Sequence, residues 1–577
     1  EETAPRLFSR LAAAITALIA DPGFQLSPEG YDQLAVEHAT FSGIFSASVF
    51  ENSDTLLQQL SSAVSGNPLK REFTGTQNVV KLLMAYSLES ELDIDFEAIF
   101  RAAPRLALPA FLAMLATRTV MSPAAHRRRE KLLTLGPLFE QVEISDGMLL
   151  AISDAYMYCS YATSDTKHHI KRSFNKMLRR RMESLVGLPQ FPAKRELKKK
   201  PVIMVPIEWF ASHHAMYRCY APSIGRLREH FKLVMIGRDK EMDAKAKELF
   251  DEVIEFKEQK LSVSWCVDQI RAVAPDIIYF PSVGMAPWCV ALSTVRLAPI
   301  QVATLGHPAS TQSEAIDYIV IPSSCPSVPA CFTETVVLWE GLGPMVMRSD
   351  AEFPASAKQT AEGVVRVAVP SMVCKVTAPF LAMCRRISTL SKSPLEFHFF
   401  PNMVGLAWYE TTKHIRKWLP GAVVHLRTGY NDYLQRVSRC HIHLSTFPFG
   451  GTNSNLDSMR LGIPMVSMHG REVHGQLDAA MMRHAQMPDS LIANSVEEYE
   501  RIVLRLVANV DEREKLAKQL REYDIERAFL DQAGHPYAED FLHLFRWIYA
   551  MHERIQSSGR RYWTLDDRRQ AFPESAR

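Results

Sequence analysis

From Pro201 onward the chain reads as short apolar runs separated by amphipathic stretches, and this alternation constrains its fold more than any other feature. Val202-Ile203-Met204-Val205 is followed by a helical stretch near Ala215 to Glu229 and then by Leu233-Val234-Met235-Ile236. Val253-Ile254, a helix around Val263 to Val273, Asp276 to Phe280, Gln301 to Leu305 and Tyr318 to Ile321 continue the series. Strands that alternate with helices make parallel βαβ units with helices on both sheet faces. A polar break from Arg348 to Gly363 interrupts the pattern, which then restarts. Val365 to Val369 leads into a helix near Phe380 to Leu390, and Phe397 to Phe400, Val423 to Leu426, Ile442 to Leu444 and Met465 to Met468 are the next strands. The sequence thus predicts an α/β protein with two Rossmann-like, doubly wound domains, over 201–350 and 364–535. Two such domains in series face each other across a cleft, and ligands of open α/β sheets bind outside the carboxyl ends of the strands.

The rest of the chain has a different texture. Residues 1–186 show apolar positions at three-and-four spacing, as in Val79, Leu82, Leu83 and Tyr86, and predict an all-α N-terminal domain. Residues 187–200 form a basic linker ending in Lys198-Lys199-Lys200, read as a solvated segment rather than a site for an anionic partner. Residues 536–577 carry a helix, with Phe541, Leu542, Leu544, Phe545 and Ile548 on its apolar side, expected to pack back across the domains.

Composition removes several function classes. A net charge of +2 over 577 residues argues against a dedicated nucleic-acid or membrane-surface protein. No apolar stretch reaches the roughly 18 residues of a membrane span, and Leu11 to Ala20 reads as an ordinary helix. The nine cysteines are odd in number, scattered and without a C-x-x-C pair. They predict reduced, buried thiols in a cytoplasmic protein, with a Cys325–Cys331 bridge not expected.

The segment Leu444 to Asp457, with Pro448-Phe449-Gly450-Gly451-Thr452-Asn453 at its centre, carries the chemistry. A strand ends, two glycines turn the chain, and a helix opens with Thr452 or Asn453 as its cap. Free N–H groups and the positive dipole end of that helix suit a diphosphate, and Asp457, one turn in, suits ribose hydroxyls. This is neither a P-loop nor a G-x-G-x-x-G dinucleotide turn. Lys375 follows the first strand of the second domain and can neutralise phosphate charge. His214, beside His213, and His307, in Gly306-His307-Pro308, follow strands of the first domain and can act as a base or orient an acceptor. His425, at the end of the Val423 strand, and His307 join the candidate UDP-sugar contacts. No cysteine or histidine spacing suits zinc, and Asp93-Ile94-Asp95 lies away from the sheet edges, so no metal is expected.

These motifs resemble the O-GlcNAc transferase superfamily, and most closely the bacterial cytoplasmic N-glycosyltransferases that modify high-molecular-weight adhesins. The cues are Pro448-Phe449-Gly450 with Thr452-Asn453 and Asp457, Glu472-Val473-His474 with Asp478, Glu208-Trp209-Phe210 with His214, Gly306-His307-Pro308-Ala309, and Cys159-Ser160-Tyr161-Ala162. The resemblance implies a GT-B fold and inverting, metal-independent transfer of a hexose, glucose, from a UDP-sugar. The acceptor would be asparagine in an Asn-x-Ser/Thr sequon of a protein such as a secreted adhesin. It also implies that Lys375, Gly451, Thr452 and Asn453 hold the diphosphate, that Asp457 holds the ribose, and that His214 stands near acceptor and sugar. Two other readings stay open: O-linked transfer of GlcNAc to Ser or Thr, and a non-catalytic adhesin-binding partner.

Overall fold

Two parallel sheets organise the α/β part of the chain, as the alternation predicts. The structure is a computed structural model that describes residues 3–64, 67–191, 195–257, 263–342, 353–355, 363–530 and 536–571. The polar break from Arg348 to Gly363 therefore lies outside the described residues, apart from 353–355 and Gly363, as do Pro192 to Lys194 of the basic linker.

The described strands, in chain order, are β1 (Ser62–Val64), β2 (Asn67–Glu72), β3 (Val202–Ile207), β4 (Lys232–Arg238), β5 (Glu252–Phe256), β6 (Ile277–Phe280), β7 (Ile300–Ala303) and β8 (Tyr318–Pro322). They continue with β9 (Thr335–Trp339), β10 (Val365–Val369), β11 (Leu395–Phe399), β12 (Val423–Val424), β13 (Ile442–Leu444), β14 (Met465–Met468), β15 (Ile492–Ala493) and β16 (Tyr562–Trp563). The first large sheet has the order β16-β9-β8-β7-β6-β3-β4-β5 and the second β12-β11-β10-β13-β14-β15. Pairing is parallel in both. Their central strands are buried almost throughout, as in Ile277–Phe280 and Ile442–Leu444, which is why they read as apolar runs without alternation.

Contacts divide the chain into two compact units that do not follow chain order. One holds Glu1–Ser173, Glu352–Met468 and Ser490–Lys518; the other holds Phe174–Ala351, His469–Asp489 and Gln519–Arg577. In the first, the helical N-terminal region packs on the second Rossmann-like sheet. The helix Gly405–Trp418 carries the join: Trp418 Nε1 donates to Met121 O at 2.9 Å, Lys413 Nζ donates to Ser48 O, and Tyr409 meets Phe8 edge-on at 5.6 Å. The N-terminal region is not wholly α, since β1 and β2 form an exposed antiparallel hairpin there. It has no buried face and hence no apolar alternation to announce it.

In the second unit the C-terminal helix Pro536–Ser557 packs on the first Rossmann-like domain, where Phe541 and Phe545 meet Tyr279 of β6 at 5.9 and 5.0 Å. The basic linker is tied down by this same unit. Arg195 pairs with Glu553 at 2.7 Å and Lys198 with Asp276 at 2.9 Å, so these two charges are spent within the protein. All nine cysteines are free, and eight are buried. No described helix is long and apolar enough to cross a membrane.

Candidate active site

In the first unit, the carboxyl ends of β10 and β13 bring Lys375 and the glycine turn together. Lys375 closes the short turn Val373–Lys375 after β10, and the next residues start the helix Ala378–Leu390, capped by Thr377. The segment after β13 is laced to this turn: Ser371 Oγ meets Thr446 Oγ1 at 3.1 Å and Thr377 Oγ1 donates to Phe447 O at 3.3 Å. Lys375 Nζ donates to Gly450 O and lies 4.8 Å from the centre of the Phe449 ring. Phe449 in turn packs on Tyr161 of the helical region at 4.7 Å, in a cluster with Tyr158 and Cys374. The Cys159 to Ala162 motif therefore buttresses the loop that presents Lys375.

The turn ends in the helix Asn453–Arg460. Gly451 is closely approached: a side chain there would meet Asn455 Oδ1 and Ser454 Oγ and displace them. Thr452 occupies the cap position with φ −151° and ψ −75° but does not cap; its Oγ1 donates to Gly451 O at 2.8 Å. Asn453 is the first helical residue rather than a cap. Among the described residues the N–H groups of Asn453 and Ser454 have no acceptor, and Asn453 Oδ1 is buried without a partner. An uncapped helix start with open N–H groups is a site of positive potential for an anion.

Beside it stands an aromatic wall. Asp457, 7% exposed, accepts from the Tyr430 hydroxyl, and Tyr430 stacks on Tyr433 at 6.0 Å. Burial and the Asp457 carboxylate hold the Tyr433 hydroxyl well above its usual pKa. Tyr433 meets Phe400 edge-on at 5.6 Å, and Phe400 stacks on His425 at 4.3 Å and 12°. Arg436 Nη1 donates to His425 Nδ1 at 3.3 Å. Burial, His398 and Arg436 together push the His425 pKa down to about 4. Tyr430, Tyr433, Phe400 and Arg436 were not among the sequence candidates. The i, i+3 tyrosine pair at the start of a helix after β12 was the available signal.

The second unit holds His214 and His307. His214 caps the helix Ala215–Leu227, its Nδ1 accepting from Met216 N at 3.2 Å, and its ring stacks on the exposed Trp209 at 5.9 Å. A backbone N–H can only donate, so Nδ1 accepts and the neutral ring carries its proton on Nε2. Burial, then His213 and Arg218, lowers its pKa below the ordinary histidine value. His214 thus presents an N–H donor at neutral pH.

His307 is buried on the loop after β7. Glu334 pins that loop through Ser310 Oγ and Thr311 N, both at 2.7 Å, and His474 Nδ1 meets Pro308 O at 3.1 Å. The Glu472-Val473-His474 cue is thereby a fastening of the Gly-His-Pro loop. Asp95 caps the helix Phe96–Ala102, which accounts for the Asp93-Ile94-Asp95 pattern. Among the described residues no group of three or more His, Cys, Asp or Glu could hold a metal ion.

Comparison with known proteins agrees with these motifs. The family pattern described as HMW1C N-terminal matches residues 1–92, and that described as HMW1 domain 2 matches residues 97–182. A protein of Actinobacillus pleuropneumoniae serotype 5b named UDP-glucose:protein N-beta-glucosyltransferase is 31% identical over 531 residues, covering 90% of this chain and 85% of the relative. The protein of the same name from serotype 7 is 32% identical over 531 residues, with the same coverage. A mutant O-GlcNAc transferase of Thermobaculum terrenum matches in structure with a TM-score of 0.56 at 15% identity, over 83% of this chain and 95% of that one, a likeness of fold.

Proposed function

Since the chain belongs to the HMW1C-type family of UDP-glucose-dependent protein N-glycosyltransferases, within the O-GlcNAc transferase superfamily, we propose that it moves glucose onto asparagine in Asn-x-Ser/Thr sequons. It is a GT-B glycosyltransferase with a protein acceptor. The proposal concerns the sugar, the sequon, the stereochemistry and the residues that act. The observation that carries it is the uncapped start of the helix Asn453–Arg460, with Gly451 crowded by Asn455 and Ser454 and Lys375 laid against the same turn.

In this reading the donor diphosphate lies on the N–H groups of Asn453 and Ser454, with Thr452 and the Gly451 backbone around it. The aromatic wall with His425 takes the nucleoside, and Asp457 takes the ribose. Tyr430 already donates to Asp457, so a ribose hydroxyl would share or displace that bond. The acceptor amide nitrogen attacks the anomeric carbon in line, the bond to the β-phosphate oxygen breaks on the opposite face, and the proton that the nitrogen sheds passes to solvent or to the leaving diphosphate. The relatives are named for a β product, and UDP-glucose is an α-glycoside, so one displacement with inversion fits. Negative charge gathers on the leaving diphosphate as that bond breaks. Lys375 and the helix start supply fixed positive potential there, which supports leaving-group stabilisation without a metal. His214 donates a hydrogen bond through Nε2 and orients acceptor or sugar rather than taking the proton. His307 stands with it on the acceptor side. The free thiols support a reducing compartment, the cytoplasm, as the place of reaction, with an adhesin polypeptide as the acceptor class.

The test is incubation with UDP-glucose or UDP-GlcNAc and an Asn-x-Thr peptide, with and without EDTA, read by mass spectrometry. Hexose on asparagine, unaffected by EDTA, is expected. GlcNAc on serine or threonine, or an EDTA-sensitive rate, contradicts the corresponding part.

A further inference from the structure

Behind the aromatic wall runs a chain of polar side chains whose direction is fixed from one end. Arg436 lies on the helix Tyr430–Val437, and its guanidinium can only donate. It meets His425 Nδ1 at 3.3 Å, so that nitrogen accepts. The proton of the neutral His425 ring is then on Nε2, which meets His398 Nδ1 at 3.0 Å. His398 Nδ1 must accept in turn, and its own proton sits on Nε2, 2.6 Å from Glu396 Oε1. A carboxylate closes the chain as a pure acceptor. Each link of the chain has one donor and one acceptor, and neither ring needs a second proton.

Strand geometry explains the alignment. Glu396, His398 and Phe400 are spaced by two along β11 and its end, and so share one face. His398 is paired with Val423 of the neighbouring β12, two residues before His425. Phe400 supports the His425 ring from below, and Arg366 holds Glu396 from the far side at 3.4 Å. Burial keeps both imidazoles below the ordinary histidine value, as neutral rings require, and His398 and Arg366 outweigh burial to keep Glu396 charged. Apart from His425, the Arg436 guanidinium has no side-chain or backbone acceptor among the described residues. Its remaining N–H groups are available to oxygen acceptors of a ligand.

We propose that Glu396 and His398 are positioning residues of the donor site, which fix the tautomer and plane of His425 and, through it, the aim of Arg436 at the bound nucleotide. This rests on the donor-site reading above. Neither residue need touch the donor. Removing the acceptor for His425 Nε2–H releases the ring, and Arg436 loses its fixed partner.

Nitrogen NMR of histidine-labelled protein reads the tautomers directly, and calorimetry with UDP reads the consequence. At pH 7 both His425 and His398 are expected as Nε2–H tautomers. His398→Phe is expected to weaken UDP binding about tenfold, the loss of one buried hydrogen bond. His398→Gln, whose amide accepts from His425 and donates to Glu396, is expected to stay within about threefold of wild type. Glu396→Ala, at the outer end of the chain, serves if His398→Phe does not fold, with an expected loss of about threefold. The kcat at saturating donor should change less than KM. An Nδ1–H tautomer of His425, or unchanged UDP binding in both His398→Phe and Glu396→Ala, overturns the relay while leaving the donor site standing. A wild-type protein that does not bind UDP overturns the donor-site reading itself, and the positioning role of Glu396 and His398 falls with it.

Discussion

The two Rossmann-like domains each present a helix start near the carboxyl ends of their strands, and the two are treated in opposite ways. In the first domain the helix Pro287–Leu292 follows β6, and the N–H groups of the loop that leads into it are filled by the protein itself. Glu208 accepts from Gly284, Met285 and Ala286 N at 2.9 to 3.0 Å and from Ser282 Oγ at 2.6 Å, with only 3% of its surface exposed. In the second domain the helix Asn453–Arg460 has no such plug among the described residues. Among the described residues two neighbouring N–H groups lack acceptors, and the charged side chain laid against the turn before them is Lys375. One fold therefore yields a sealed nest that stabilises structure and an open one that, in the proposed reading, takes the donor diphosphate. The difference lies in one side chain each, Glu208 and Lys375.

Lys375→Ala breaks the open end and carries the largest expected effect. Loss of this charge should cost on the order of 2 to 4 kcal/mol of barrier, roughly 30- to 1000-fold in kcat, with an unchanged melting temperature. Near-normal turnover would remove Lys375 from the chemistry. Glu208→Ala breaks the sealed end and should act on stability instead. Leaving four buried donors without their acceptor should cost about 3 kcal/mol, read by denaturant melts. Sulfate should restore part of the loss in Glu208→Ala and little in wild type, because the emptied nest then resembles the open one.

Acid sharpens the comparison from another side. The second Rossmann-like domain buries His443, 0% exposed, with neither ring nitrogen partnered among the described residues, and its pKa is pushed down to about 3 by burial. The unfolded chain takes a proton near pH 6.5 that the folded domain refuses. Stability is therefore full above pH 6.5 and falls as pH drops toward 3, by up to about 1.4 kcal/mol per unit for this residue. His425, half-buried, and His441, buried, each at about 4, act in the same direction over this range. Of the difference between melts at pH 7.5 and 5, His443 should account for about 2 kcal/mol, and His443→Phe should remove that share.

The smallest effect belongs to His214, which caps a helix besides its proposed part in orienting the acceptor or sugar. His214→Asn keeps a good cap, so stability should move by less than about 0.5 kcal/mol, while the rate falls about tenfold with the lost donor. With the His214 pKa lowered, activity should not decline on crossing pH 6.5 from above. A limb at that pH would point to a base role.

Much of this was legible in the sequence for physical reasons. Buried parallel strands advertise themselves as apolar runs, and Lys375 and the Gly450-Gly451 turn sit where chain order alone puts them, just after β10 and β13. What stayed hidden depends on contacts between distant residues. Glu208 was visible in Glu208-Trp209-Phe210, but only the fold shows that its partners are Ser282 to Ala286. The support of Phe449 by Tyr161 joins two segments with no shared period. β16 is two residues long, too short for any pattern, yet it pairs with β9. Thr452 fits the composition of a cap, and its backbone angles deny it that role. The missing cap is the feature that leaves the site open.

A structure of the protein with UDP bound tests that openness most directly. The β-phosphate is predicted within hydrogen-bonding distance of the Asn453 and Ser454 N–H groups and of a Lys375 Nζ that has left Gly450 O. A diphosphate bound elsewhere, with Lys375 still on Gly450 and the first turn of the helix empty, would contradict the account.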